Sequence, residues 1–177
     1  MATLQDRMLR AAKLDVDLYE EVEADQSATQ QAMLVVVLSS VAAGLGAMGS
    51  GGGGLGTMLI GTVTALVAWF IWAFLTYFIG TKILPQPQTS ADMGELLRTI
   101  GFSSSPGVIR IMGIIPGLYI ISTTVASIWM LVAMVIAVRQ ALDYDSTLRA
   151  VGVCIIGWLV QIMVLAGLFS LFGSSSY

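Results

Sequence analysis

The chain contains no histidine, no asparagine and a single cysteine, Cys154. The missing imidazoles exclude the usual zinc sets, Ser-His-Asp and Cys-His catalysis and haem ligation through histidine. One cysteine excludes a disulfide framework, and the lack of asparagine excludes N-glycosylation. Charge is equally scarce: 11% of 177 residues, 8 Lys and Arg against 11 Asp and Glu, with a net charge of −3. Soluble domains carry about 25% charged residues. With 56% hydrophobic residues and a mean hydropathy of +0.87, the chain cannot cover a water-facing surface, so the solvent to reason with is a bilayer. The acidic balance also argues against nucleic-acid binding, which needs a basic surface.

What the sequence does have is apolar length. The blocks are Ala32 to Met48, Thr57 to Ile79, Pro106 to Val138 and Ala150 to Phe172. The second and fourth would be helices of about 34 Å, enough for a hydrocarbon core of about 30 Å. The first would be about 25 Å, short but sufficient with its flanks. The third would be about 50 Å, too long for one crossing even at a tilt of about 40°. Pro116 and Gly117 interrupt it, and Ser122, Thr123 and Thr124 are caps for a new helix, so a reversal is expected between Gly117 and Thr124. The predicted fold is an all-α polytopic membrane bundle. Its five transmembrane helices lie at about 32–48, 57–79, 106–118, 123–141 and 150–172, as one membrane domain over 27–172.

The five-span count places every Lys and Arg, from Arg7 to Arg149, and every acid on one side. The positive-inside rule then sets an N-terminus in the cytoplasm, a C-terminal tail 173–177 outside, and location in the plasma (inner) membrane. No secretory signal pattern opens the chain. Residues 1–26 read as one amphipathic cytoplasmic helix, with Leu4, Met8, Ala11, Leu14, Leu18 and Val22 at helical spacing. Its bases precede its acids, against the helix dipole. Ser27 followed by Gln30 predicts a capping box for the first span. Residues 91–102, after Pro85 and Pro87, read as an interfacial helix.

Candidate functional residues are few. Gly51-x-Gly53-x-x-Gly56 matches a dinucleotide fingerprint in form but lacks a βαβ context, and reads as a hairpin turn. Ser39, Ala43 and Ala47 form a stripe of small residues, with Ser40 and Gly44 beside it, and Gly113 and Gly117 form a second pair. Small residues let membrane helices approach closely, within one chain or towards a partner or second copy. Arg110 is the charge inside an apolar stretch; snorkelling to headgroups, or pairing with Asp92, Glu95, Asp143 or Asp145, would offset its burial. Gln161 sits mid-span and needs a partner across helices. The acidic run Glu20, Glu21, Glu23 and Asp25 reads as a solvated face or a dock for a basic partner. The aromatics of the second block read as lipid contacts or core, Cys154 as a packing residue, and no cofactor or metal is expected.

The order of short motifs adds to this. An N-terminal amphipathic segment and a hairpin with a Gly-rich turn precede Gly101-Phe102-Ser103-Ser104-Ser105-Pro106, then Ile114-Ile115-Pro116-Gly117, then Ser127-Ile128-Trp129. Over about residues 20–172 this arrangement resembles the Yip family, the Ypt/Rab-GTPase-interacting membrane proteins, in particular its prokaryotic branch. The resemblance implies a five-span membrane protein with a cytoplasmic N-terminal region, and for eukaryotic members vesicle traffic, membrane shaping and small GTPases. The short N-terminal segment here argues against GTPase binding. The expected function is a non-catalytic scaffold or accessory subunit that binds other membrane proteins or shapes the bilayer. A small oligomeric transporter or channel is the alternative, suggested by Arg110, Gln161 and the Pro116-Gly117 break.

Overall fold

The computed structural model describes residues 2–52 and 54–173, with side-chain surroundings up to Met163. Gly53 of the glycine motif, tail residues 174–177 and the side chains of the last predicted span beyond Met163 lie outside the described residues. The helices are α1 (Leu4–Ala12), α2 (Val16–Ala24), α3 (Ala28–Gly49), α4 (Leu55–Phe78), α5 (Met93–Ser103), α6 (Tyr119–Ala141) and α7 (Thr147–Gly173). Two other helical types complete them: a π turn, Ile79–Ile83, continues α4, and a 3-10 helix, Ser105–Ile114, links α5 to α6. There are no strands among the described residues.

The N-terminal segment is two helices, not one. Leu14 adopts the left-handed conformation, φ 61°, and reverses the chain. Thr3 caps α1 and Asp15 caps α2 by accepting from backbone N–H groups. The break relieves the dipole conflict in α1, where Asp6 opens and Arg10 closes the helix; α2 opens with Asp17 but still carries Glu21 and Glu23 near its C-terminus. Ser27 makes no cap; instead the Asp25 carboxylate accepts from Ser27 N and Oγ. The capping box that does form is Asp92 with Glu95, at the start of α5.

Three described segments are long and apolar enough to cross a bilayer: Ala28–Gly49, Leu55–Ile83 and Tyr119–Ala141. The helix α7, Thr147–Gly173, is apolar over Thr147–Met163, where its described side chains end. The predicted third span, 106–118, is instead the ten-residue 3-10 helix followed by a turn. At 2 Å per residue that helix rises roughly 20 Å, less than a full crossing. Its tight winding follows from its neighbours: it packs most extensively against α3 and α6. The chain reverses over Ile115–Leu118, with Leu118 N donating to Ile115 O at 3.1 Å and Gly117 at φ 86°. Pro116 then Gly117 is the residue order of a type II turn. The helix α6 begins at Tyr119, four residues ahead of the expected start, and Ser122 bonds back to Tyr119 O rather than capping.

The helix α5 lies inside the bundle, against α2, α3, α4 and α6, and buries Leu96 and every residue from Arg98 to Ser103. Two clusters hold the core. One joins Leu96, Ile100, Val138, Leu142 and Val153; the other joins Leu18, Tyr19, Val22, Val35 and Phe102. The charged segments converge at one end. Gln140 donates to Glu20, Gln88 to Asp145, and Tyr144 Oη lies 2.7 Å from Leu84 O and 3.1 Å from Gly80 O.

Candidate functional site

The small-residue stripe is the floor on which the site is built. The backbone of α3 meets the 3-10 helix with almost nothing between them. A Cβ on Gly46 would collide with the carbonyl of Arg110, and one on Gly49 with Gly113 and Ile114. Gly113 sits against Gly46, and Gly107 lies directly on the Ser39 side chain. On its other face, Gly44 meets Met58 of α4, and Ser40 Oγ lies 3.2 Å from Thr62 Oγ1. Ala43 and Ala47 line a cavity of ≈ 270 Å³ between α3 and α4 that reaches Arg110. Gly117 faces open space and serves the turn. Ser39, Ser40, Gly44 and Gly113 therefore pack within the chain.

The motif residues converge on the same junction. Gly101 packs on Ala32, and Phe102 is fully buried. Ser103 Oγ donates to Ile100 O and Ser105 Oγ to Phe102 O, each at 2.7 Å, so the hydroxyls are satisfied while α5 gives way to the 3-10 helix. Ser127 faces Arg110, and Trp129 Nε1 donates to Ala12 O at 2.8 Å, which ties α1 to the middle of α6.

Arg110 is carried by the 3-10 helix into the space between α3, α4 and α6. Its guanidinium makes none of the expected ion pairs among the described residues. Among the described residues its side-chain partner is Ser127 Oγ, at 3.5 Å from Nη2, the outer limit of a hydrogen bond. Arg110 Nε is buried without an acceptor. Trp72 Nε1, on α4, is buried without one as well. Arg110, Trp72 and Gln161 line one cavity of ≈ 280 Å³. Arg110 and Trp72 also line a second, apolar cavity of ≈ 510 Å³ between α4, α6 and α7. The structure thus brings the two predicted intramembrane polar residues together, from elements far apart in sequence. Sequence reasoning missed Trp72, whose indole looks like any other aromatic of a span.

Removing a charge from water costs several kcal/mol unless it is paired. Donors without acceptors add to that cost. Arginine and tryptophan are donor-only groups and cannot satisfy one another. The arrangement can hold an anionic or strongly accepting group. The described lining carries no carboxylate or imidazole, so the arrangement has no acid–base pair for proton transfer.

A second polar arrangement clasps the N-terminal hairpin. Arg7, almost fully buried, donates to Asp25 at 2.7 Å, Glu21 at 2.9 Å and Gln31 at 3.0 Å. Arg10 joins Asp15 and Glu21. The hydrogen bonds from Ser27 and Arg7 pull the Asp25 carboxyl down to about 2, and the bond from Arg10 lowers Glu21. Three of the acidic run, Glu20 through Gln140, Glu21 and Asp25, are thus engaged within the chain. From α5, buried Arg98 donates to Val22 O at 2.8 Å and to Glu23 O, the last carbonyls of α2.

Glu23 has the opposite environment. Burial first, then the like charges of Glu95, Asp143 and Glu20, push its carboxyl up to about 8, against the opposing pull of Arg98. The folded state then keeps this proton to higher pH than the unfolded chain, whose carboxyl titrates near 4.5. Its contribution to stability is present below the unfolded value and declines as pH rises towards 8. Asp25 and Glu21 work the other way, and their contribution is lost on acidification below the usual carboxylate range. Trp129 emission should therefore report loosening of the hairpin between pH 6 and 9 in the wild type. In Glu23→Gln that alkaline change should flatten; an unchanged profile would show that Glu23 does not govern it.

No match was found among curated proteins or among solved structures. The family model of the Yip1 domain matches residues 17–169, a range that takes in the α2 carbonyls held by Arg98, the α5 junction, the Pro116-Gly117 turn and the Arg110 cavities. The chain, all-helical where described and built on apolar helices, belongs to the Yip1 domain family.

Proposed function

We propose that this chain is a non-catalytic integral membrane protein that acts as a scaffold or accessory subunit, binding other membrane proteins or shaping the bilayer. The observation behind this reading is the exposure of the outer face of α4. Only 11% of its apolar window is buried within the chain, against 33% for α3 and 22% for α6. Its outward face presents Leu59, Ile60, Val63, Val67, Phe70, Phe74 and Phe78 at helical spacing, all about half exposed or more. Such a face suits lateral contact with lipid, a partner helix or a second copy. In this reading α5 and the 3-10 helix, which together run along α3 from Ala32 to Gly46, make the third pass, and α7 makes the fifth, of a five-pass layout in the plasma membrane. The polar end lies in the cytoplasm, as its clustered charge favours. A GTPase dock is not part of the proposal.

One observation favours the second reading, a small oligomeric transporter or channel: Arg110 and Gln161 line the same open cavity between the helices. One pair of measurements separates the two. The scaffold reading expects cysteines at Ile60 and Val67 to cross-link to neighbours in native membranes, and vesicles carrying the purified protein to show no ion or solute flux above empty controls. Flux that falls in Arg110→Gln would replace it with the transporter. A strictly uncrosslinked monomer would also overturn it.

A further inference from the structure

We infer that Arg110 and Trp72 form the polar end of a binding site for an acidic membrane lipid, whose phosphate they hold while one acyl chain lies in the ≈ 510 Å³ cavity between α4, α6 and α7. Two independent observations select that ligand. At the head, two buried donors from different elements, Arg110 Nε and Trp72 Nε1, border the same space and lack acceptors. Only an acceptor satisfies both, and only an anion also balances the guanidinium, whose fork of donors fits phosphate oxygens. Water would meet the donors but leave the charge unbalanced.

At the tail, the cavity walls are hydrocarbon and thioether, with Met130, Met134, Val135, Val151 and Ile155 among them. Its volume falls within the range of about 300–1,000 Å³ typical of ligand cavities. Methionine suits a flexible chain because its own side chain is unbranched and polarizable. The way in is lateral: Leu131 on α6 and Trp158 on α7, both 61% exposed, flank the cavity where those helices face outward. A lipid of the surrounding leaflet can thus enter sideways. This site does not depend on the α4 face and stands whether that face binds a partner or only lipid.

The test uses the full chain in nanodiscs of phosphatidylcholine with one-fifth phosphatidylglycerol, released into mild detergent and weighed by native mass spectrometry. The wild type should retain one phosphatidylglycerol in preference to phosphatidylcholine. Arg110→Gln should lower that retention about tenfold or more, the effect of losing a charge-assisted contact. Val151→Trp, which fills the tail cavity and leaves the guanidinium in place, should lower it too, so the result does not hang on one variant. Trp72→Phe should weaken retention without abolishing it. Equal retention of both lipids, retention unchanged in Arg110→Gln, or no bound lipid would overturn the site. So would displacement of the lipid by millimolar inorganic phosphate, which would mark a site for free anions.

Discussion

Gly46→Leu should prevent the bundle from closing. The helices α3 and the 3-10 segment touch backbone to backbone, and the atom a Cβ would strike is the main-chain carbonyl of Arg110, which no rotamer change can move aside. Inserting side-chain atoms into a packed interior typically costs about 1–3 kcal/mol, and a rigid backbone neighbour puts this site at the upper end. In hydrocarbon that loss is hard to recover, because association there rests on packing rather than on exclusion of water. Thermal denaturation in detergent, followed by loss of monodisperse protein, measures the effect. Gly46→Ala should fall between wild type and Gly46→Leu. Gly61→Ala and Gly152→Ala meet nothing within 4 Å and should be neutral or gain up to about 1 kcal/mol of helix propensity. Equal behaviour of Gly46→Leu and Gly61→Leu would remove the packing argument. Because Arg110 rides on the displaced segment, the same substitution should also disturb the cavities it lines.

Arg98→Met should release the N-terminal hairpin. Arg98 is 5% exposed, and its guanidinium binds the C-terminal carbonyls of α2, where the helix dipole favours a cation. Each charge-assisted hydrogen bond contributes about 1.5–3 kcal/mol, so losing both should cost about 3 kcal/mol or more. Arg98→Lys keeps the charge but not the fork, and should recover only part of the loss. Gly94 belongs to the same device: a side chain there would press on the guanidinium, 2.9 Å from its Nη1. Hydrogen exchange should rise across α1 and α2 while the middle of α3 stays protected, and Trp129 emission should shift to the red as its bond to Ala12 opens. Uniform loss of protection would instead mean that the whole bundle unfolds.

Apolar length made most of the helices legible, because α3, α4 and α7 fall on three of the four apolar blocks and α6 on the second part of the other, after its Pro116-Gly117 break. Helix type and chain reversal were less so. No glycine or asparagine marks Leu14 for a left-handed turn, yet it ends α1 as those residues usually do, with Leu14 N donating to Ala11 O and Asp15 N to Arg10 O. Nor does Ser105–Ile114 spell a 3-10 helix, since its winding answers to Ser39, Gly46 and Gly49 on a distant helix. Of the site, Arg110 and Gln161 stand out in sequence as polar residues in apolar runs, but their shared cavity depends on tertiary packing. The expectation for Arg110 was a headgroup or one of four acids; of those acids, Asp92 and Glu95 are joined in a capping box and Asp145 is held by Gln88.

The π turn at Ile79–Ile83 has a bearing on assembly. Its widened loop leaves Gly80 O and Leu84 O for the single hydroxyl of Tyr144, and Gly80 for the Leu142 side chain, both some sixty residues downstream. While a nascent chain emerges, the exit of α4 therefore waits for a latch not yet synthesised. Before the loop after α6 is made, the Gly80 and Leu84 carbonyls lack the Tyr144 hydroxyl that they accept from in the folded chain.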